Sequence, residues 1–228
     1  MRALVIAIIA MFICIAAILV FATNPSLLKT IIGGSTSQTL STVYTTKHMS
    51  ALDMEVRRGS VTIVASRGPI YRVEASSGCS VSVSGSGTLE IVVEGSSGCR
   101  VVIEAPPQLS YVTLYVRSGS VEIDGLSVGT LAATLISSTY TLNGVTIGQS
   151  LYLYLFSSQA ELNGVEMARG SSGSIKLFSS TMKATFSDRV EALLDSYMSS
   201  VSNRGCVSGP TLKVLARTSS VVLSCPGG

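Results

Sequence analysis

Apolar positions follow three rhythms along this chain. From Ala3 to Ala22 they are continuous, with no charge, Pro or Gly. From about residue 50 onward they alternate with Ser, Thr and other polar residues, which sends them to one face of a strand. Leu114 and Val116, then Leu153 and Leu155, share one face; Val121 and Ile123, with Ala160 and Leu162, share a face of the following strand. The third rhythm is ambiguous. Between Ser187 and Val201, Asp188 offers a helix N-cap, Glu191 follows three residues on, and Val190, Leu193, Leu194 and Tyr197 recur at helical spacing. The stretch Leu193–Ser202 also overlays Leu177–Phe186 as one more strand unit, and that reading is preferred over the helix.

The alternating region repeats itself. Val116–Leu126, Leu135–Val145 and Leu155–Val165 align without gaps at offsets of nineteen and twenty residues, and Leu177–Ser187 follows after twenty-two. Val56–Ile63 matches Val116–Ile123 at six of eight positions, and Arg217–Ser224 echoes the pattern near the end. Each unit reads strand, corner, strand. Ser-Gly or Ser-Ser forms the first corner; Asp124-Gly125, Asn143-Gly144 and Asn163-Gly164 form the second, where Gly adopts positive φ at low cost. A period near twenty residues without a helical half predicts an all-β, single-stranded β-solenoid, right-handed and parallel, over residues 38–228. Eight or nine coils at about 4.8 Å would make a rod roughly 40 Å long. Stacking sets Asp124, Asn143 and Asn163 over one another, where amides can bond along the stack. Residues 67–105 fit either shorter coils or antiparallel hairpins, and Pro106-Pro107 interrupts pairing before the regular repeat.

The continuous apolar run changes the picture of location. At 1.5 Å per residue it spans about 30 Å, a bilayer's hydrocarbon thickness. Residues 1–22 therefore read as a transmembrane anchor or, since Val20-Phe21-Ala22 resembles a small-residue cleavage site, a signal peptide. Ile13 before Cys14 is too large for a lipidation signal. Arg2 precedes the run and Lys29 follows it, which predicts N-inside topology and an exported domain. Residues 23–37, with Gly33-Gly34, read as a tether. The expected location is the cell membrane, single-pass, with the solenoid outside the cytoplasm.

Composition agrees and removes several functions. Charged residues make up 13% of the chain, about half the usual share, while a mean hydropathy of +0.51 argues against disorder. The net charge of +3, with no basic cluster larger than Arg57-Arg58, supplies no stripe for nucleic-acid phosphates. His48 is the one histidine, so a serine-hydrolase triad has little to build on; it is expected exposed on the first strand. Outside the anchor stand Cys79, Cys99, Cys206 and Cys225. An even number in an exported chain reads as disulfides with three possible connectivities, zinc being the competitor. Separations of twenty and nineteen residues equal the repeat, which favours Cys79–Cys99 and Cys206–Cys225 at equivalent points of neighbouring coils.

The run Val101–Leu126 resembles the "putative adhesin" family of β-solenoid domains, grouped with toastrack-type domains. The resemblance lies in Ala105-Pro106-Pro107, Ser118-Gly119-Ser120-Val121 and Asp124-Gly125-Leu126. It implies a solenoid over most of residues 50–224, often membrane-tethered, with no catalytic residues to carry over. No cofactor or metal is expected. Glu161 and Glu166 could meet across a corner, but scattered acids point to solvated surface rather than a glycosidase pair, and Arg57-Arg58 reads as a solvated strand end. With Leu151, Leu153 and Leu155 inward, Tyr152 and Tyr154 face outward and Tyr115 lies two coils earlier at the position of Tyr154. Phe156 and Phe178 take matching corner positions, with Ile136 between. Such a ladder either binds a cell-surface glycan, a protein or a second copy, or lies under residues 187–201 or 23–50. The expected function is a non-catalytic adhesion, interaction or structural module. A sensory or scaffold ectodomain of an envelope-stress system is the alternative, and a polysaccharide-cleaving enzyme a minor one.

Overall fold

The computed structural model describes residues 39–226 except His48 and Ser97. The expected anchor, the tether and the position of His48 lie outside the described residues. Those described belong to one compact unit, Thr39–Gly228, and every helix-or-strand element in it is a strand.

In chain order these are β1 (Ser41–Lys47), β2 (Ala51–Val56), β3 (Gly59–Ala65), β4 (Ile70–Ala75) and β5 (Cys79–Ser84). Next come β6 (Thr88–Gly95), β7 (Arg100–Ala105), β8 (Gln108–Arg117), β9 (Gly119–Asp124) and β10 (Ser127–Ile136). Then follow β11 (Thr139–Asn143), β12 (Thr146–Phe156), β13 (Gln159–Met167), β14 (Ser172–Phe178) and β15 (Thr181–Phe186). The last are β16 (Glu191–Tyr197), β17 (Ser200–Arg204), β18 (Thr211–Arg217) and β19 (Ser220–Ser224).

Two ladders of parallel strands result. The first runs β6, β2, β8, β10, β12, β14, β18, β16. The second runs β7, β3, β9, β11, β13, β15, β19, β17. Register keeps like over like, with Val116, Leu135, Leu155 and Leu177 in one row and Ile123, Leu142 and Leu162 in another. All seven are fully buried, and each aliphatic side chain so enclosed contributes about 1.5–3 kcal/mol.

The repeats do not stack in chain order, contrary to the expected sequential arrangement. β2 and β3 lie between β6/β7 and β8/β9, and β18 and β19 lie between β14/β15 and β16/β17. Core quality explains the second exchange. Register with β18 and β19 directs Ala192, Leu194, Ser196, Val201 and Asn203 of β16 and β17 toward the core. The matching positions of β18 and β19 are Leu212, Val214, Ala216, Val221 and Leu223, all buried. A unit carrying Ser and Asn there is tolerable only on the outside of the stack.

Residues 187–201 thus form strand β16 and the start of β17 rather than a helix. The register is three residues from the expected one: Ser196, not Leu193, stands in the row of Ala216 and Leu177. Residues 67–105 contain both expected alternatives. β6 and β7 join the parallel ladders, whereas β4 pairs antiparallel with β7 and β5 antiparallel with β6, and β1 pairs antiparallel with β4.

The corners account for much of the serine. Ser118, Ser137, Ser157 and Ser179 all adopt φ near +50°, a strained region for residues with Cβ. After Ser137, Ser157 and Ser179, and after Thr218 at φ 50°, the serine that follows relieves the corner. Hydroxyls of Ser138, Ser158, Ser180 and Ser219 each donate at about 2.7–2.8 Å to the carbonyl two residues back. Each of these oxygens also joins a vertical chain. Ser138 N–H donates to Ser158 Oγ, Ser158 to Ser180, Ser180 to Ser219 and Ser219 to Ser199, at 3.1–3.2 Å. These four serines are buried and hold the stack. The second corner behaves as expected: Asn163 Nδ2 donates to Asn143 Oδ1 at 3.0 Å, and Asn143 Nδ2 to Asp124 Oδ1 at 2.6 Å.

Candidate interaction surface

Alternation along the first ladder sends every second side chain away from the core. One outward row reads Glu55, Tyr115, Thr134, Tyr154, Lys176. Its neighbour reads Arg117, Ile136, Phe156, Phe178, Arg217. Tyr115 therefore does lie two repeats from Tyr154. Phe156 stands between Ile136 and Phe178, which corrects the expected order. Tyr152 occupies a third row beside Ala132 and Ser174.

These aromatics are bare. Tyr115 is 39% exposed, Tyr152 49%, Tyr154 40% and Phe156 47%; Phe178 is half-buried, its ring 5.5 Å from that of Tyr154. Among the described residues, no flanking segment crosses them. β16 adds to the end of this ladder, and β1 pairs with β4 beside the second ladder. Tyr111, 43% exposed, extends the surface and was missed in the sequence. Leu109 and Val112 are both buried, so Ser110 and Tyr111 interrupt the two-residue alternation that located the others.

At the first corner of this face a groove of about 680 Å³ is lined by Glu55, Arg57, Arg58, Glu94, Tyr115 and Arg117. Arg57 Nε lies 2.8 Å from Glu55 Oε1 and Nη1 3.5 Å from Glu94 Oε2. The hydrogen bond and charge of Glu55 raise the Arg57 pKa above its ordinary value, so it stays cationic. Toward the other end, Arg217 meets Asp195 at 3.2 and 3.3 Å and sits 5.9 Å over the Tyr197 ring.

The four cysteines beyond residues 1–22 pair as expected. Cys79–Cys99 has a Cα separation of 4.9 Å and Cys206–Cys225 of 5.1 Å, both inside the range disulfides favour. The geometric reason holds for one of them. Cys225 N–H donates to Arg204 O, so Cys206 and Cys225 follow neighbouring strands β17 and β19 in parallel. Cys79 instead opens the antiparallel β5, opposite Gly95. Gly95 and Gly59 make room for Cys99: a Cβ on Gly95 would lie 2.2 Å from Cys99 Cβ, and one on Gly59 2.9 Å from its sulfur.

Other chemistry is sparse. Among the described residues, no group of three or more His, Cys, Asp or Glu could hold a metal ion. Glu161 lies 3.8 Å from Lys183, and Glu122 and Asp124 both accept from Asn143. Tyr71 and Tyr140 are buried with hydroxyls lacking a partner among the described residues. Desolvation pushes both phenols well above their ordinary range.

Fold and surface together describe an all-β protein of stacked parallel strands with one aromatic face. No family model matches the chain, and no curated protein matches it. Solved structures do. One, described as a "putative cell adhesion protein" from Clostridium sporogenes, is 8% identical over 82% of this chain and 100% of its own, with a TM-score of 0.47. A "putative adhesin" from Bacteroides fragilis is 13% identical over 82% and 97%, with a TM-score of 0.46. A third, from Parabacteroides merdae, is 11% identical over 81% and 95%, with a TM-score of 0.36. The descriptions of these structures name the same kind of domain that residues 101–126 resemble.

Proposed function

We propose that this chain is a membrane-tethered, extracytoplasmic β-solenoid that acts as a non-catalytic contact module through its aromatic face. The observation that carries the reading is the exposure of Tyr115, Tyr152, Tyr154 and Phe156 on one face of one ladder. Large aromatics left in water on a rigid support are contact surface, because each offers much area with few rotatable bonds and, for tyrosine, a polar tip. The apolar run Ala3–Ala22 supports attachment to a membrane, and the two disulfides suit an oxidising compartment.

Replacing Tyr152 and Tyr154 by Ser tests the contact role. Both point outward, so thermal stability should shift little while attachment to cells or self-association weakens. A loss of several kcal/mol would mean that the rings are buried under another part of the chain. Unchanged stability together with unchanged attachment and association would remove the face as a contact site. Membrane attachment has its own check: the protein should fractionate with membranes, and a mature N-terminus at Thr23 would overturn it.

A further inference from the structure

We propose that the groove beside Arg57 and Arg58 binds a carboxylate of an acidic polysaccharide whose chain lies along the aromatic rows. The inference rests on the contact reading above and gives it a ligand class.

Three guanidinium groups line the groove, and their situations differ. Arg57 is held by Glu55 and Glu94. Arg58 and Arg117 are exposed and have no carboxylate or hydrogen-bond partner among the described residues. A free guanidinium fork suits a carboxylate, to which it can donate two parallel bonds. Tyr115 forms part of the same groove and stands next to Glu55 in the row that continues through Thr134 and Tyr154 to Lys176. Lys176 is likewise exposed and unpaired among the described residues.

Repeats separated by about 4.8 Å advance by close to the length of one sugar ring in an extended chain. The row therefore offers successive rings an aromatic face, a hydroxyl, a second aromatic face and an ammonium group. Aromatic faces take the C–H faces of pyranoses, and the carboxylates of Glu55 and Glu94 can accept sugar hydroxyls. Those same carboxylates disfavour a densely phosphorylated polymer, as does the small number of unpaired cations. A neutral glycan would leave Arg58 and Arg117 with nothing to bind.

Binding of the full-length protein to polygalacturonate, to its fully methyl-esterified form and to polyacrylate tests this. Polygalacturonate should bind, weakening as salt rises, while the ester and the sugar-free polyacrylate bind at least tenfold more weakly. Arg58→Gln with Arg117→Gln should lose at least tenfold in polygalacturonate affinity at unchanged melting temperature, and Arg58→Lys with Arg117→Lys should recover part of it. Equal binding of acid and ester, equal binding of polyacrylate, tighter binding of double-stranded DNA or no binding of any probe would each overturn the proposal. The contact reading would still be decided separately, by attachment of the Tyr152→Ser, Tyr154→Ser variant.

Discussion

At one end of the stack, β6 and β7 are covered by the reversed pair β5 and β4, with β1 outside β4. Val81 and Val83 of β5 stand opposite Val93 and Ile91, and Val73 of β4 opposite Ile103, so the outermost parallel repeat keeps a closed core. At the other end, β16 pairs with β18 and β17 with β19 on one side only. Closure there is by polarity and a loop. Asn203 exchanges hydrogen bonds with Cys206 at 3.1 and 3.2 Å, and Ala192 N–H donates to Cys206 O at 3.2 Å. Leu193, Leu194, Tyr197, Met198 and Val207 remain exposed.

Stacked repeats share one difficulty, since each interior unit buries its apolar face against two neighbours and a terminal unit has one. Reversing a unit restores the second neighbour and blocks further parallel growth. Placing the poorest unit outermost accepts its exposure instead. The first device keeps the core positions of the outermost parallel repeat fully buried; the second does not.

The largest expected difference is between leucines at the two ends. Leu89 of β6 is fully buried, whereas Leu194 of β16 is 40% exposed. Leu89→Ala should cost about 2–5 kcal/mol as a core cavity, and Leu194→Ala less than about 1 kcal/mol. Denaturant unfolding measures both. Equal costs would mean that the β16 end is covered in solution and would break the comparison.

Each disulfide staples one end, and each closes a loop of about twenty residues, worth on the order of 3 kcal/mol through the unfolded chain. The two should differ in how unfolding proceeds. Cys206→Ser with Cys225→Ser should free β16 and β17 to open before the rest, seen as fast amide exchange confined to residues 191–210. Cys79→Ser with Cys99→Ser should lower the main transition without a separate early phase, because β4 and β5 remain packed. A single cooperative loss in both variants would show that the two ends are equally coupled to the core.

Much of this architecture was legible in residues, and the reasons are local. Alternation and the Asn-Gly corners located β8 to β15, because identical rows impose the same pattern on every unit. The likeness of Val56–Ile63 to Val116–Ile123 even carried the exchange of order, since Val61 pairs with Val121 and Ile63 with Ile123. That meaning was missed because neighbours in the chain were taken as neighbours in the stack. The direction of β4 and β5 was not readable, since alternation is the same whichever way a strand runs. Among candidate contacts, Tyr115, Tyr152 and Tyr154 followed from the two-residue period. The groove did not: Arg57, Glu94 and Arg117 come from three separate strands or strand ends, and only the register of β6, β2 and β8 brings them together.

The smallest expected effect compares the covered end with the middle. Tyr71 lies in β4 and Tyr140 in β11, both fully buried with hydroxyls unpartnered among the described residues. A buried hydroxyl without a partner costs stability, and removing it while keeping the ring leaves packing intact. Tyr140→Phe and Tyr71→Phe should each be neutral or stabilising by up to about 1 kcal/mol. Alkaline pH separates them from ordinary surface changes. Both folded pKa values are raised above the unfolded value, near 10, so the folded state keeps protons that the unfolded chain releases. Stability is therefore insensitive to these phenols below about pH 10 and falls above it, by about 1.4 kcal/mol per pH unit for each phenol. The double variant should lose that part of the alkaline decline. If Tyr71→Phe were instead destabilising while Tyr140→Phe was not, the Tyr71 hydroxyl would have a partner in solution, and the reversed end would be less tightly closed than the middle of the stack.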